Sequence, residues 1–94
     1  MSSLALITGG QKGIGLGIAQ ALVAEGWRVA LASSSAEESE AVQAALAALG
    51  PSAAYYQHNL RDTDRNAELF TRVEAAQGPV HALVNNAGVP ARVR

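Results

Sequence analysis

The sequence contains no cysteine, which excludes disulfides, thiol nucleophiles and any cysteine-ligated zinc or iron–sulfur centre. Two histidines alone make a poor metal shell, so no metal site is expected. Charge of one sign is equally scarce. Seven Lys+Arg against eight Asp+Glu leave a net charge of -1 with no like-charge cluster, which argues against a nucleic-acid footprint or a basic membrane-surface patch. Aromatic residues make up 4% of the chain, too few for a core built on large rings. The apolar stretch from Leu4 to Ile7 is too short for a signal-peptide core or a membrane span, and no basic segment precedes it. A cytoplasmic chain with no membrane partner is therefore expected.

What is present is a chain of 94 residues, 49% hydrophobic, with 9 glycines. That length allows a single domain over residues 1–94, since domains mostly run to about 100–150 residues. The run Leu4-Ala5-Leu6-Ile7-Thr8, apolar without alternation and stopped by Gly9-Gly10, reads as a strand buried on both faces. Ile14, Ile18, Ala21 and Leu22 recur at helical spacing, with Gly26 placed to end the helix in a left-handed conformation. Trp27 to Ser33 reads as a second strand. Ser35 and Glu38 have the spacing of a capping box, so the second helix is expected to start at Ser35 and to contain Glu37. Its apolar stripe is Val42, Ala45, Leu46 and Leu49, and Gly50-Pro51 stops it. Ala53 to Gln57 is a third strand. A third helix spans about Thr63 to Ala76, carrying Leu69, Phe70, Val73 and Ala76, with Asp62 and Thr63 as cap candidates. Gly78-Pro79 ends it before the apolar run Val80 to Val84, read as a fourth strand. Strands alternating with helices imply parallel pairing through right-handed crossovers. The expectation is an α/β Rossmann-type parallel sheet of order 3-2-1-4 with helices on both faces.

Between the first strand and the first helix, Gly9, Gly13 and Gly15 let backbone approach an anion at a helix N-terminus, where N–H groups and the helix dipole favour negative charge. The G-x-G-x-x-G fingerprint is not met, because Ile18 stands where glycine or alanine would be required, and no G-K-[ST] occurs. Bare spacing is a weak signal, and a tight turn using glycine for positive φ is the alternative; the position between strand and helix favours phosphate binding.

Thr8, Gly9, Gly13, Ile14 and Gly15 match the T-G-x-x-x-G-x-G motif of the short-chain dehydrogenase/reductase family, and Asn85-Asn86-Ala87-Gly88, directly after the fourth strand, matches its N-N-A-G motif. The chain resembles that family throughout, and within it the 3-oxoacyl carrier-protein reductase-like and sugar-alcohol dehydrogenase branches. The resemblance implies a nicotinamide-dinucleotide oxidoreductase acting on a carbonyl or alcohol substrate. It places Gly9, Gln11, Lys12, Gly13, Ile14, Gly15, Asn86, Ala87 and Gly88 at the cofactor. A dinucleotide fold usually carries an acid after the second strand to bind the ribose 2′-hydroxyl. Here that place holds Ser33-Ser34, and Lys12 stands just before Gly13. NADP is thus favoured, with NAD as the other possibility. Where the family usually has Asp followed by Val or Leu after the third strand, this chain has Asn59-Leu60, and Asn59 can still accept a hydrogen bond from adenine through its amide oxygen.

The family's catalytic Ser and Y-x-x-x-K set has no counterpart here. The only lysine is Lys12, and the fourth residues after Tyr55 and Tyr56 are Asn59 and Leu60. No catalytic residue is assigned, and His58 and His81 read as structural. The chain is expected to be the N-terminal, cofactor-binding part of a larger doubly wound fold whose parent is a homo-oligomer, a dimer or a tetramer. A non-catalytic dinucleotide-binding or scaffold module is the alternative. The fourth strand is expected to form an apolar sheet edge with an under-covered face.

Overall fold

The computed structural model describes residues 3–9, 13–59 and 66–85. Four parallel strands form one sheet of order β3-β2-β1-β4. In chain order these are β1 (Leu4–Thr8), α1 (Gly13–Ala24), β2 (Arg28–Ser33), α2 (Glu40–Leu49), a single 3₁₀ turn (Gly50–Ser52), β3 (Ala53–Gln57), α3 (Asn66–Gln77) and β4 (Ala82–Asn85).

Alternation along the central strands divides the core into two layers. Ala5, Ile7, Val29 and Leu31 point to one face, where Ala19 of α1 and Ala45 and Leu49 of α2 cover them. Leu4, Leu6, Ala30 and Ala32 point to the other, against Leu69 and Val73 of α3. Every residue of β1 is buried, as is every residue of β2 after Arg28, which explains why neither strand alternates in the sequence. The layers are thin because so many contacts are made by alanine. The expected sheet order and the placement of helices on both faces are observed.

Several details differ from the expectation, beginning with the second strand, which starts at Arg28 and not Trp27. The second helix starts at Glu40, not Ser35: the Oγ of Ser39 accepts a hydrogen bond from the Val42 N–H at 3.4 Å and caps it. The N–H of Ser35 instead donates to the Oγ of Ser33 at 3.2 Å, so Ser35 belongs to the turn after β2 and Glu37 lies ahead of the helix. The apolar stripe of α1 is carried by Gly15 and Ala19 with Leu22 partly buried, whereas Ile14 is 76% exposed. The fourth strand pairs only from Ala82. Val80 packs beside the α3 layer and gives its N–H to a carboxylate oxygen of Glu74 at 3.0 Å. As an edge strand β4 alternates in burial, and Leu83, level with Leu6 on the α3 side, is 50% exposed. The third helix is described from Asn66 on, and the expected caps Asp62 and Thr63 lie outside the described residues.

Gly17 sits inside α1 with ordinary helical backbone, and a methyl group there would meet no atom within 4 Å. Gly17→Ala is expected to raise stability by about 0.5–1 kcal/mol, because alanine loses less backbone entropy than glycine in a helix. Denaturant titration at constant slope checks this, and a lowered midpoint would show that α1 requires glycine there.

Candidate functional site

The carboxyl ends of the four parallel strands form one edge of the sheet, the edge at which open α/β folds bind ligands. β1 ends there in Thr8 and Gly9. Gly9 adopts φ +71°, and its N–H donates to the carbonyl of Ala32 at 2.7 Å, anchoring the start of the glycine loop on β2. At the far end of the loop, Gly13 adopts φ +62° at the first residue of α1, and a side-chain carbon placed on it would meet nothing within 4 Å. A left-handed residue beside open space, at the positive end of a 12-residue helix with no acid in its first turn, is a cradle fit for an anion. Gly15 is buried in the first turn of that helix, and the exposed Ile14 side chain stands next to the opening. Gln11 and Lys12 lie outside the described residues.

The threonine of the glycine motif reaches the second motif directly. Thr8 pairs in register with Asn85, and its Oγ1 donates to the Asn85 Oδ1 at 3.2 Å, with the Val84 carbonyl at 3.4 Å. The two motifs are 76 and 77 residues apart at these contacts, yet they share one edge because β4 crosses over to pair with β1. Asn85 was not among the expected site residues, although it opens the motif. Its neighbours Asn86, Ala87 and Gly88 lie outside the described residues, as does Leu60.

At the end of β2, Ser33 is buried at 5% exposure and Ser34 is exposed. The Ser33 hydroxyl lies 2.6 Å from the Tyr55 hydroxyl, so the solvent-facing serine at this strand end is Ser34. Asn59 is exposed just past β3. Both histidines are occupied in holding elements together. The Nδ1 of His81 accepts the Leu4 N–H at 3.0 Å, and the Nε2 of His58 lies 3.0 Å from the Oδ1 of Asn66 at the start of α3. Among the described residues no cluster of His, Asp and Glu could hold a metal ion, and no helix is long and apolar enough to cross a membrane.

Comparison with known proteins agrees with this geometry. The chain is 40% identical over 89 residues to an acetoacetyl-CoA reductase from Shinella zoogloeoides, covering 95% of this chain and 35% of that protein. Among solved structures it is similar to a 3-oxoacyl-[acyl-carrier protein] reductase from Brucella melitensis in complex with NAD. That match has 38% identity and a TM-score of 0.81 and covers 100% of this chain and 36% of the other. It is also similar to an actinorhodin polyketide ketoreductase with NADPH, at 36% identity and a TM-score of 0.80 over 95% of this chain and 34% of that one. The chain thus spans about a third of the length of the proteins it matches. A family profile described as short chain dehydrogenase matches residues 3–94. With that match running through both motifs, and with the motifs joined at one sheet edge, the chain belongs to the short-chain dehydrogenase family.

Proposed function

We propose that this chain is the dinucleotide-binding part of an NADP(H)-dependent oxidoreductase that moves a hydride between nicotinamide and a carbonyl or alcohol. The observation that carries the proposal is the Thr8–Asn85 contact, which sets the N-N-A-G motif beside the glycine loop. The open space at Gly13 fits a pyrophosphate. Gly9, Gly13 and Gly15 serve close backbone approach, Gln11 and Lys12 complete the loop, and Ile14 offers an exposed apolar surface for the cofactor. Asn86, Ala87 and Gly88 border the cofactor beyond β4, while Asn59 meets the adenine and Leu60 belongs to the same cofactor-binding set. Nicotinamide, when bound, supplies the hydride; the residues of this chain bind and orient it and exclude water. The parent enzyme is proposed to be a cytoplasmic homo-oligomer, and the reductases it is similar to point to a 3-oxoacyl or related ketone substrate.

NADPH is expected to bind more tightly than NADH, because Ser33 and Ser34 replace the usual acid and Lys12 supplies a cation. Lys12→Ala is expected to weaken NADPH by about 1–2 kcal/mol, roughly 5–30-fold, and to leave NADH nearly unchanged. Calorimetric titration decides it, and equal or tighter binding of NADH overturns the NADP assignment. A reading for NAD has one observation in its favour: Glu37 is exposed in the loop before α2 and not inside the helix, so a carboxylate is present between β2 and α2. In that case Glu37→Gln would weaken NADH and spare NADPH.

A further inference from the structure

The end of β2 and the turn after it are held by β3 and the residue that follows it at each of three successive carbonyls. The Ser33 carbonyl accepts the His58 N–H at 2.8 Å, the Ser34 carbonyl accepts the Gln57 amide at 3.3 Å, and the Ser35 carbonyl accepts the Tyr55 hydroxyl at 2.5 Å. The protons can be placed consistently around one ring of three bonds. The Ser35 N–H donates to the Ser33 Oγ at 3.2 Å, the Ser33 hydroxyl donates to the Tyr55 oxygen at 2.6 Å, and the Tyr55 hydroxyl donates to the Ser35 carbonyl. The Ser33 carbonyl, 3.1 Å from the same Tyr55 hydroxyl, adds a second acceptor at the centre of the ring. Tyr55 pairs in register with Leu31 and packs on the layer under α1 and α2, so its ring is fixed independently of the turn it holds. Hydrogen bonds closed into such a ring polarise one another and favour a single turn geometry.

We propose that Tyr55 is a positioning residue for recognition of the ribose 2′ group: its hydroxyl draws the Ser33 and Ser35 carbonyls away from the site and so leaves the turn hospitable to a 2′-phosphate. The inference rests on reading this sheet edge as the dinucleotide site. A carbonyl oxygen turned toward a phosphate repels it, whereas the same oxygen facing a neutral 2′-hydroxyl can accept its proton. Losing the clamp therefore penalises the phosphate and spares the hydroxyl. Tyr55 touches no ligand in this scheme; the exposed Ser34 does.

The test compares 2′,5′-ADP with 5′-AMP on the full 94-residue chain by calorimetric titration, since the two differ only in the 2′-phosphate. Tyr55→Phe keeps the ring and removes the hydroxyl, and Ser33→Ala opens the same ring of bonds from its other side. Each is expected to weaken 2′,5′-ADP by about 3–10-fold, the worth of one hydrogen bond, and to change 5′-AMP by less than about twofold. The double variant is expected to lose no more than either single one, because the ring opens only once. A merely structural role would lower the affinity for both nucleotides together. Equal losses for both ligands, or an undiminished preference for 2′,5′-ADP in both variants, overturns the assignment of Tyr55 and leaves the dinucleotide site standing. Failure of the unaltered chain to bind either nucleotide overturns the site itself and this inference with it.

Discussion

Gly13→Val is expected to abolish dinucleotide binding while the sheet remains folded. Gly13 adopts φ +62°, a left-handed backbone that costs an L-residue about 1–2 kcal/mol and a β-branched one more. Space within the protein is not the obstacle, because a side-chain carbon at this position meets no atom within 4 Å. That same open space at the first residue of α1 is where the pyrophosphate is proposed to sit, so the valine methyl groups would occupy the volume of the ligand. Backbone strain and lost volume together correspond to a decrease in affinity of about 100-fold or more, roughly 2.7 kcal/mol. The core layers centred on Leu6 and Ile7 lie away from the substitution, and the circular dichroism spectrum is expected to persist. Gly13→Ala carries the strain with less bulk and should fall between the two. Binding that survives Gly13→Val would remove the phosphate from this space; loss of the folded spectrum in both variants would make Gly13 a turn residue only. Gly15→Val differs in kind. Gly15 is buried in the first turn of α1, so its loss is expected to lower stability and binding together.

The elements legible in the sequence are those whose environment is simple. β1 and β2 lie at the centre of the sheet with both faces covered, and an uninterrupted apolar run ended by glycine or serine records that position. The sheet order follows from the handedness of the crossovers. Local capping patterns were ambiguous where serines cluster. Ser35 with Glu38 has the spacing of a capping box, but Ser35 is bound into the ring with Ser33 and Tyr55, which leaves Ser39 to cap α2. Nothing in periodicity or spacing marks Tyr55, because its partner lies across the sheet and the sequence shows only an aromatic residue in a strand. The exposure of Ile14 was hidden for a related reason: helical spacing groups it with Ile18 and Leu22, but it lies in the first turn, where α1 emerges from the sheet edge. The Thr8–Asn85 contact was implicit in the two motifs, although its chemistry required the register of β1 with β4.

Dinucleotide binding by the 94-residue chain is expected to be uncoupled from turnover. Reduction of a ketone needs a proton for the developing alkoxide as well as a hydride, and a positioned acid of this kind typically contributes 10²–10⁴-fold, about 3–5 kcal/mol. The family's acid is a tyrosine with a lysine in the Y-x-x-x-K pattern, and this sequence has its only lysine in the glycine loop. Neither tyrosine can substitute. The Tyr55 hydroxyl is engaged with Ser33 and Ser35, and the Tyr56 hydroxyl accepts the Gln77 amide at 3.0 Å on the α3 side, where Arg72 lies 5.8 Å from its ring. His58 and His81 are held by Asn66 and Leu4. NADPH oxidation with a 3-oxoacyl thioester is therefore expected to match the protein-free rate, even at cofactor concentrations that saturate binding. Turnover above that background, retained after Gly13→Val has removed binding, would point to a contaminant. Turnover abolished by Gly13→Val would show that this chain assembles an acid from residues other than the family's set.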